Sequence, residues 1–157
     1  MVETQRVVSL TLDERTVVRR TSDIEQERKV AIYDLLQSNH FAPVSGHLGP
    51  FRLHLGLDDG RLLIDVRDEA DQPLDRIVIG LAAFRRIVKD YFVICDSYFE
   101  AIRTGSTSRI EAIDMGRRGL HNEAAELLRE RLADQVDIDF DTARRLFTLL
   151  CVLQIRA

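Results

Sequence analysis

The chain has 157 residues and a mass of 18.0 kDa, the size of one ordinary domain. Hydrophobic residues make up 45% and charged residues 31% of the sequence, a balance that excludes a disordered or low-complexity chain. No apolar stretch approaches the roughly 20 residues of a membrane span, and the first residues, MVETQRVV, lack the pattern of a signal peptide. We therefore expect a single globular domain over residues 1–157 that resides in the cytoplasm.

The net charge of −4 and the pI of about 5.6 give no general electrostatic help to nucleic-acid binding. We expect no DNA partner and no membrane association, and the acidic pI also counts against RNA. The sequence contains 20 Arg but only 2 Lys. Guanidinium groups suit carboxylates and phosphates, so adjacent arginines are candidate anion sites; a GC-rich genome, whose codons favour Arg over Lys, is the alternative explanation. The pairs are Arg19-Arg20, Arg85-Arg86, Arg117-Arg118 and Arg144-Arg145.

Apolar residues alternate with polar ones near the start of the chain, which predicts a first strand over residues 8–12. Ser22 followed by Glu25 forms a capping-box pattern, and it predicts a helix over residues 23–38. Glycines and prolines then interrupt the pattern, so residues 39–50 are predicted to form a loop.

Three short alternating segments follow and predict an antiparallel meander. They cover residues 51–57, 62–67 and 74–79, and Asp58-Asp59-Gly60 is a strong hairpin turn between the first two. One face of such a sheet is expected to pack on a core and the other to face water.

The apolar period becomes helical after Leu81. Gly105 is predicted to end that helix, and a capping-box pattern at Ser108 predicts a third helix that runs to about residue 133. A fourth helix is predicted over residues 141–155. The predicted order is β-α-β-β-β-α-α-α. This indicates an α+β fold in which four helices cover one face of a small antiparallel sheet of about four strands.

The last predicted helix is almost wholly apolar. Such a helix is either the centre of the core or half of an oligomer interface. A homo-oligomer or protein partner would contact this helix through Leu146, Leu149, Leu150 and Leu153.

The cysteines and histidines do not form a recognisable metal or thiol site. Cys95 and Cys151 are far apart in apolar helical patterns and lack a CxxC partner, so we expect core residues in a reducing compartment. His40, His47 and His54 recur every seventh residue, which matches neither helical nor strand pairing. We therefore expect no metal and no cofactor.

Acidic residues alternate with apolar ones just before the last helix, at Asp137, Asp139 and Asp141. A calcium loop would need Gly where Thr142 stands and Glu where Thr148 stands. The pattern instead predicts a short edge strand that leads into an Asp-capped helix.

Four segments of the chain, taken in order, have a familiar wording: IEQERKVAIYDLL from Ile24, VKDYFVICDSYFEAI from Val88, IEAIDMGRRGLHNEAAELLRERL from Ile110 and DTARRLFTLLCVL from Asp141. Together they resemble the uncharacterised protein family 0262, which consists of small bacterial proteins with no assigned activity. The resemblance runs from about Ile24 to Val152 and implies a single-domain, cytoplasmic bacterial protein. It brings no reaction, cofactor or catalytic residue with it.

The third predicted helix places Asp114, Arg117 and His121 within its apolar stripe, on successive turns. Charged groups against a core need partners. One interpretation is therefore a structural ionic triad that locks the helix in place. The other is a site in which Asp114 orients His121 as an acid, base or phosphate acceptor, while Arg117 and Arg118 bind an anion.

Gly116 and Gly119 lie in the same helix and allow two interpretations. A continuous helix would use the glycines for close approach of another helix. A break would create a glycine turn, similar to a phosphate cradle or to the GXXG loop of KH-type RNA-binding domains. We favour the continuous helix.

These observations lead to three functional hypotheses. The first is a non-enzymatic regulatory or protein-interaction module that forms oligomers. The second is an enzyme or binding protein for a small phosphorylated or carboxylated molecule near Asp114, Arg117 and His121. The third is RNA binding through a turn at Gly116–Gly119. The sequence does not decide whether the protein is an enzyme.

Overall fold

The computed structural model describes residues 4–13 and 22–153. It confirms the α+β class and the predicted order of the main elements. The side chain of Ser22, the pair Arg19-Arg20 and the predicted helical residues 154–155 lie outside the described part. The elements are β1 (Val7–Leu12), α1 (Ser22–Gln37), β2 (Phe41–Pro43), β3 (Phe51–Asp58), β4 (Arg61–Arg67), β5 (Pro73–Gly80), a 3-10 turn (Ala82–Phe84), α2 (Arg85–Thr104), α3 (Thr107–Leu132), β6 (Val136–Ile138) and α4 (Phe140–Leu153).

The main sheet has four strands in the order β1-β3-β4-β5. β3, β4 and β5 form the predicted antiparallel meander. β1, however, pairs parallel to β3, so the sheet is mixed and the prediction of a wholly antiparallel sheet is wrong. Parallel neighbours require a long crossover, and α1 lies in the connection between these two strands. The inward side chains of the sheet and the apolar faces of the helices form one continuous core.

A second sheet of two strands pairs β2 with β6. The register joins Phe41 to Ile138 and Pro43 to Val136. β6 is the predicted short edge strand, but β2 lies inside the segment 39–50 that was predicted to be loop. Phe41 and Ile138 are both buried and belong to the continuous core, so this small sheet adds to it.

α2 ends as predicted at Gly105, whose φ of 75° lies in the left-handed region that glycine tolerates. α3 begins at Thr107 rather than at Ser108. The carbonyl of Ser106 already accepts the N–H of Ile110 at 2.9 Å, and this first intrahelical bond sets the earlier start.

α3 runs without interruption through Gly116 and Gly119, which confirms the continuous helix. The alternative of a turn at Gly116–Gly119, on which the RNA-binding hypothesis depended, is contradicted because these residues are helical. A Cβ on Gly116 would lie 2.9 Å from Cδ1 of Ile94 in α2. Gly116 thus permits the close approach of the two helices. A Cβ on Gly119 would meet nothing within 4 Å.

α4 packs against α1 and against α3. Its leucines at positions 146, 149, 150 and 153 are each at most 2% exposed within the single chain. Of the two interpretations of this helix, its place in the core is therefore confirmed. A partner surface through Leu146, Leu149, Leu150 and Leu153 is contradicted, because the neighbouring elements of the same chain already cover these residues. At the start of the helix Asp139 Oδ1 accepts the N–H of Thr142 at 2.8 Å, which confirms the predicted Asp cap.

The edge strand β5 is held by a side chain from outside the main sheet. The amide of Gln135 accepts the N–H of Val78 at 3.2 Å and donates to its carbonyl at 3.0 Å. Gln135 thereby joins the turn between α3 and β6 to the edge of the main sheet.

Among residues 4–13 and 22–153, no helix combines the length and the apolar character needed to cross a membrane.

Candidate functional site

Three helices enclose a polar cleft with a cavity of about 170 Å³. We call it the interhelical cleft. Arg117 and His121 lie four residues apart on α3, so they project from the same side of that helix. Residues 144–148 of α4 and residues 27–34 of α1 complete the walls. The polar side chains that line the cavity are Glu27, Asp34, Arg117, His121, Arg144, Arg145 and Thr148.

Arg117 joins α3 to two other helices. Its Nη2 atom lies 3.3 Å from Oε1 of Glu27 in α1. Its guanidinium carbon lies 4.6 Å from the centre of the Tyr98 ring in α2, within the range of a cation–π contact. Both members of the ion pair are largely shielded, with Arg117 23% and Glu27 15% exposed. Arg117 is therefore held in one position at the rim of the cleft.

Arg144 and Arg145 have looser partners. The Nη1 atom of Arg144 lies 3.7 Å from Asp141, and the Nε atom of Arg145 lies 3.7 Å from Asp34, both beyond hydrogen-bond distance. Within the part of the chain that the structure describes, the buried Nε atoms of both arginines make no hydrogen bond. The two guanidinium groups thus have donors left over in the cleft.

His121 packs between aromatic rings at the inner end of the cleft. Its ring centre lies 5.2 Å from that of Tyr91 and 6.1 Å from that of Phe147, both in edge-to-face contacts. Its Nε2 atom is buried and makes no hydrogen bond with any described residue. The ring is therefore oriented by packing rather than by a polar partner.

Burial lowers the pKa of His121, and the guanidinium groups of Arg144, Arg117 and Arg145 lower it further, to about 4. The groups that face it come from every neighbouring helix: Glu27 and Asp34 of α1, Tyr91 of α2, Arg117 of α3, and Arg144 and Arg145 of α4. The imidazole is therefore neutral near pH 7 and presents a single N–H donor and a single nitrogen acceptor.

The predicted triad of Asp114, Arg117 and His121 does not assemble. Asp114 pairs with Arg118 one turn along the helix, with 3.0 Å between Oδ2 and Nη2. Arg118 is 73% exposed and does not line the cleft. Of the residues predicted to form a site on α3, Arg117 and His121 line the cavity, whereas Asp114 and Arg118 do not.

The remaining cleft residues come from other helices and were not placed in a site by the sequence. Arg144 and Arg145 formed one of four candidate arginine pairs, but nothing in the sequence indicated that this pair lies near His121. Glu27 and Asp34 lie on α1 with spacing that carries no chemical pattern. They reach the cleft only because α1 packs on α4.

The cysteines are core residues, as the sequence predicted. Cys95 and Cys151 are buried free thiols. Burial raises the pKa of Cys95 to about 11, and it raises the pKa of Cys151 as well. Both thiols are protonated near pH 7, which makes them poor nucleophiles.

The histidines at 40 and 54 take separate roles. Nε2 of His40 lies 3.2 Å from Asp137, whereas Nδ1 of His54 lies 2.5 Å from the hydroxyl of Thr11 on the main sheet. No group of three metal-ligating side chains occurs among the residues that the structure describes.

A family model described as an uncharacterised protein family, UPF0262, matches residues 4–156. A UPF0262 protein of Erythrobacter litoralis is 57% identical over 155 residues, which cover 96% of this chain and 97% of the relative. A UPF0262 protein of Paramagnetospirillum magneticum is 56% identical, with 99% of both chains covered. One of Rhodospirillum rubrum is 57% identical, with 98% of this chain and 95% of the relative covered. No solved structure matches significantly. The chain belongs to the UPF0262 family.

Proposed function

We propose that this protein is a non-enzymatic binding module for a small anionic molecule, with a carboxylate or phosphoryl group held in the interhelical cleft. One observation carries the proposal. The guanidinium groups of Arg117, Arg144 and Arg145 meet the ring of His121 around one cavity of about 170 Å³. The buried Nε atoms of Arg144 and Arg145 and the Nε2 atom of His121 make no hydrogen bond with the described residues.

The supply of donors in the cleft exceeds the supply of acceptors. Each guanidinium carries five N–H donors. The carboxylates of Glu27 and Asp34 face them, at 3.3 Å from Arg117 and 3.7 Å from Arg145. The partner of Arg144, Asp141, is 70% exposed and lies at 3.7 Å. An anionic group in the cavity would satisfy the buried donors, since charge-assisted hydrogen bonds to forked guanidinium groups are strong and specific.

The neutral ring of His121 suits recognition. It adds one directional hydrogen bond without adding charge, and its rigid packing against Tyr91 and Phe147 sets the direction of that bond. Thr148 supplies the hydroxyl that lines the cleft, and this hydroxyl donates to the backbone carbonyl of Arg144 at 3.3 Å. These features favour binding over nucleophilic catalysis.

The hypothesis of an oligomeric protein-interaction module is not supported by the surface that suggested it. It depended on an exposed leucine face of α4, and those leucines are buried. The cleft is therefore the best-supported location for a function of this chain.

Isothermal titration calorimetry with succinate and with inorganic phosphate tests the proposal. We expect saturable binding of at least one probe to the full chain, weakened about tenfold or more in Arg145→Met, because a charge-assisted hydrogen bond is lost. Arg118→Met is the matched control, since Arg118 lies outside the cleft, and it should bind like the unmodified protein.

Circular dichroism and the thermal midpoint of each variant establish that it is folded. Arg144→Lys keeps the charge but loses the forked geometry, so it should weaken binding as well. Equal binding by Arg145→Met, Arg144→Lys and Arg118→Met would disprove the cleft as the site.

A further inference from the structure

The outward face of the main sheet carries a second polar pocket, with a cavity of about 260 Å³ that shares no lining residue with the interhelical cleft. We call it the sheet-face pocket. Its side chains come from β1, β3, the end of β4 and the turn that follows. The polar ones are Ser9, Thr11, Arg52, His54, Arg67 and Asp71.

An irregularity in β1 places the first of these residues. Val7 pairs with Phe51, but the next paired residue is Ser9, opposite Arg52, so the register shifts at Val8. A β-bulge of this kind redirects side chains relative to regular alternation. Val7 and Leu10 both point into the core as a result, and Ser9 stands beside Arg52 on the outward face.

Two arginines face each other directly in this pocket. Arg52 of β3 is the register partner of Arg67 on the antiparallel strand β4. Opposed side chains in such a pair have Cβ atoms about 5 Å apart, and like charges there are destabilising. The pocket therefore concentrates positive charge, and the repulsion between the two guanidinium groups does not stabilise the folded sheet.

One of the two charges is compensated by the protein. Nη1 of Arg67 donates to Oδ2 of Asp71 at 3.1 Å. Asp71 reaches that position with a φ of 64°, a left-handed conformation that is uncommon outside glycine. Arg52 makes no ion pair with any side chain that the structure describes. An anion between the two guanidinium groups would offset the remaining charge.

A hydroxyl and an imidazole group lie two positions further along β1 and β3, at Thr11 and His54. Thr11 is the register partner of His54, and the Thr11 hydroxyl and His54 Nδ1 are hydrogen-bonded at 2.5 Å. This bond uses Nδ1 of His54 and leaves Nε2 outside it, and the hydroxyl of Ser9 lines the same pocket. The pocket thus presents guanidinium, hydroxyl and imidazole groups from three adjacent strands.

We propose that the sheet-face pocket binds a phosphoryl group, either as inorganic phosphate or as the phosphate of a small phosphomonoester. A tetrahedral phosphoryl group offers three oxygens to donors arriving from several directions, and forked guanidinium groups bind it bidentately. The cavity is smaller than the usual pocket for a drug-sized ligand. The size therefore favours free phosphate or a compact monoester.

Amide NMR on the full chain, titrated at constant ionic strength with inorganic phosphate, phenyl phosphate or acetate, tests this inference. We expect saturable shifts at Ser9, Thr11, Arg52 and Arg67 with a phosphoryl probe. Arg52→Gln should weaken that response about tenfold or more. It also removes one of two opposed charges, so it should not unfold the sheet.

The matched control is Arg76→Gln. Arg76 lies on β5 and pairs with Asp65 at 2.8 Å, outside the pocket, so its loss should leave the response unchanged. Equal affinity for the two phosphoryl probes assigns the site to free phosphate. Tighter binding of phenyl phosphate assigns it to a monoester.

Three results would overturn the inference: equal shifts with acetate, an unchanged response in Arg52→Gln, or shifts confined to the interhelical cleft. The two proposals fail separately. Arg145→Met should leave the sheet-face response intact, and Arg52→Gln should leave binding in the cleft intact.

Discussion

Two faces of α3 carry similar residues with opposite environments. Arg117 is 23% exposed, pairs with Glu27 on another helix and lies over the ring of Tyr98. The adjacent Arg118 is 73% exposed and pairs with Asp114 on its own helix. The residue type is the same, but the two side chains project about 100° apart around the helix axis. Arg117 therefore pairs with a neighbouring helix, whereas Arg118 is a solvated surface charge.

The difference shows that the position of a charge, more than its identity, determines what it contributes. Ion pairs in water contribute little because solvent screens them and side-chain entropy opposes them. In the cleft the same groups lower the pKa of His121 and hold their donors away from water. Matched substitutions on the two faces of α3 should therefore give very different results.

The largest expected contrast is between His121 and its exposed neighbour Asn122. The folded-state pKa of His121, about 4, lies below the unfolded value of about 6.5. The unfolded chain therefore binds a proton first as the pH falls, and stability is lost between about pH 6.5 and pH 4. Urea unfolding should show that the unmodified protein loses about 3 kcal/mol more than His121→Leu between pH 7 and pH 4.

Asn122→Ala is the control on the same helix, and it should keep the pH dependence of the unmodified protein. If His121→Leu and the unmodified protein lost stability in parallel across this range, the pKa of His121 would not be lowered in the folded protein.

A smaller contrast separates Arg117→Met from Arg118→Met. Removal of Arg117 takes away the guanidinium that faces the shielded Glu27 carboxylate, and we expect a loss of about 2 kcal/mol in the free energy of unfolding at pH 7. Removal of Arg118 should change it by less than about 0.5 kcal/mol.

A double-mutant cycle with Glu27→Gln isolates the ion pair. Glu27→Gln should cost less in the Arg117→Met background than in the unmodified chain. Additive effects of the two substitutions would show that the pair contributes nothing.

The smallest contrast concerns the two glycines. Gly119→Ala should raise the free energy of unfolding by up to about 1 kcal/mol, because alanine is the better helix former and its Cβ would meet nothing within 4 Å. Gly116→Ala should gain less or lose stability, since its Cβ would lie 2.9 Å from Ile94.

The Ile94→Val background, which lacks Cδ1, should restore the gain from Gly116→Ala. Thermal unfolding of the four variants checks both expectations. Equal gains at the two glycines in the unmodified background would contradict the close approach of α2 and α3.

Local periodicity was sufficient for most elements of this fold. The strands at 51–58 and 61–67 alternate between more and less buried positions over most of their length, and the turn at Asp58-Asp59-Gly60 leaves little choice of pairing. β2 was missed because three residues that end in Pro43 show no period. The parallel pairing of β1 was missed because strand direction depends on where α1 carries the chain, which no local pattern records.

The site could be predicted only along one helix. Arg117 and His121 were found because they share a face of α3, and helical geometry alone relates them. The sequence paired them with Asp114, but Asp114 bonds to Arg118 on the other side. Glu27 and Arg145 were missed because their distance from His121 is set by how α1, α3 and α4 pack, which is a tertiary property.

The contact of Gln135 with β5 has a consequence for how copies of this protein behave near one another. An open strand edge is a template on which strands from other molecules can add, the first step toward aggregation. The amide of Gln135 takes the place of such a strand at Val78, where it occupies both the outward N–H and the outward carbonyl. One polar side chain from the turn after α3 therefore interrupts the template that the outer edge of β5 would otherwise offer in a crowded solution.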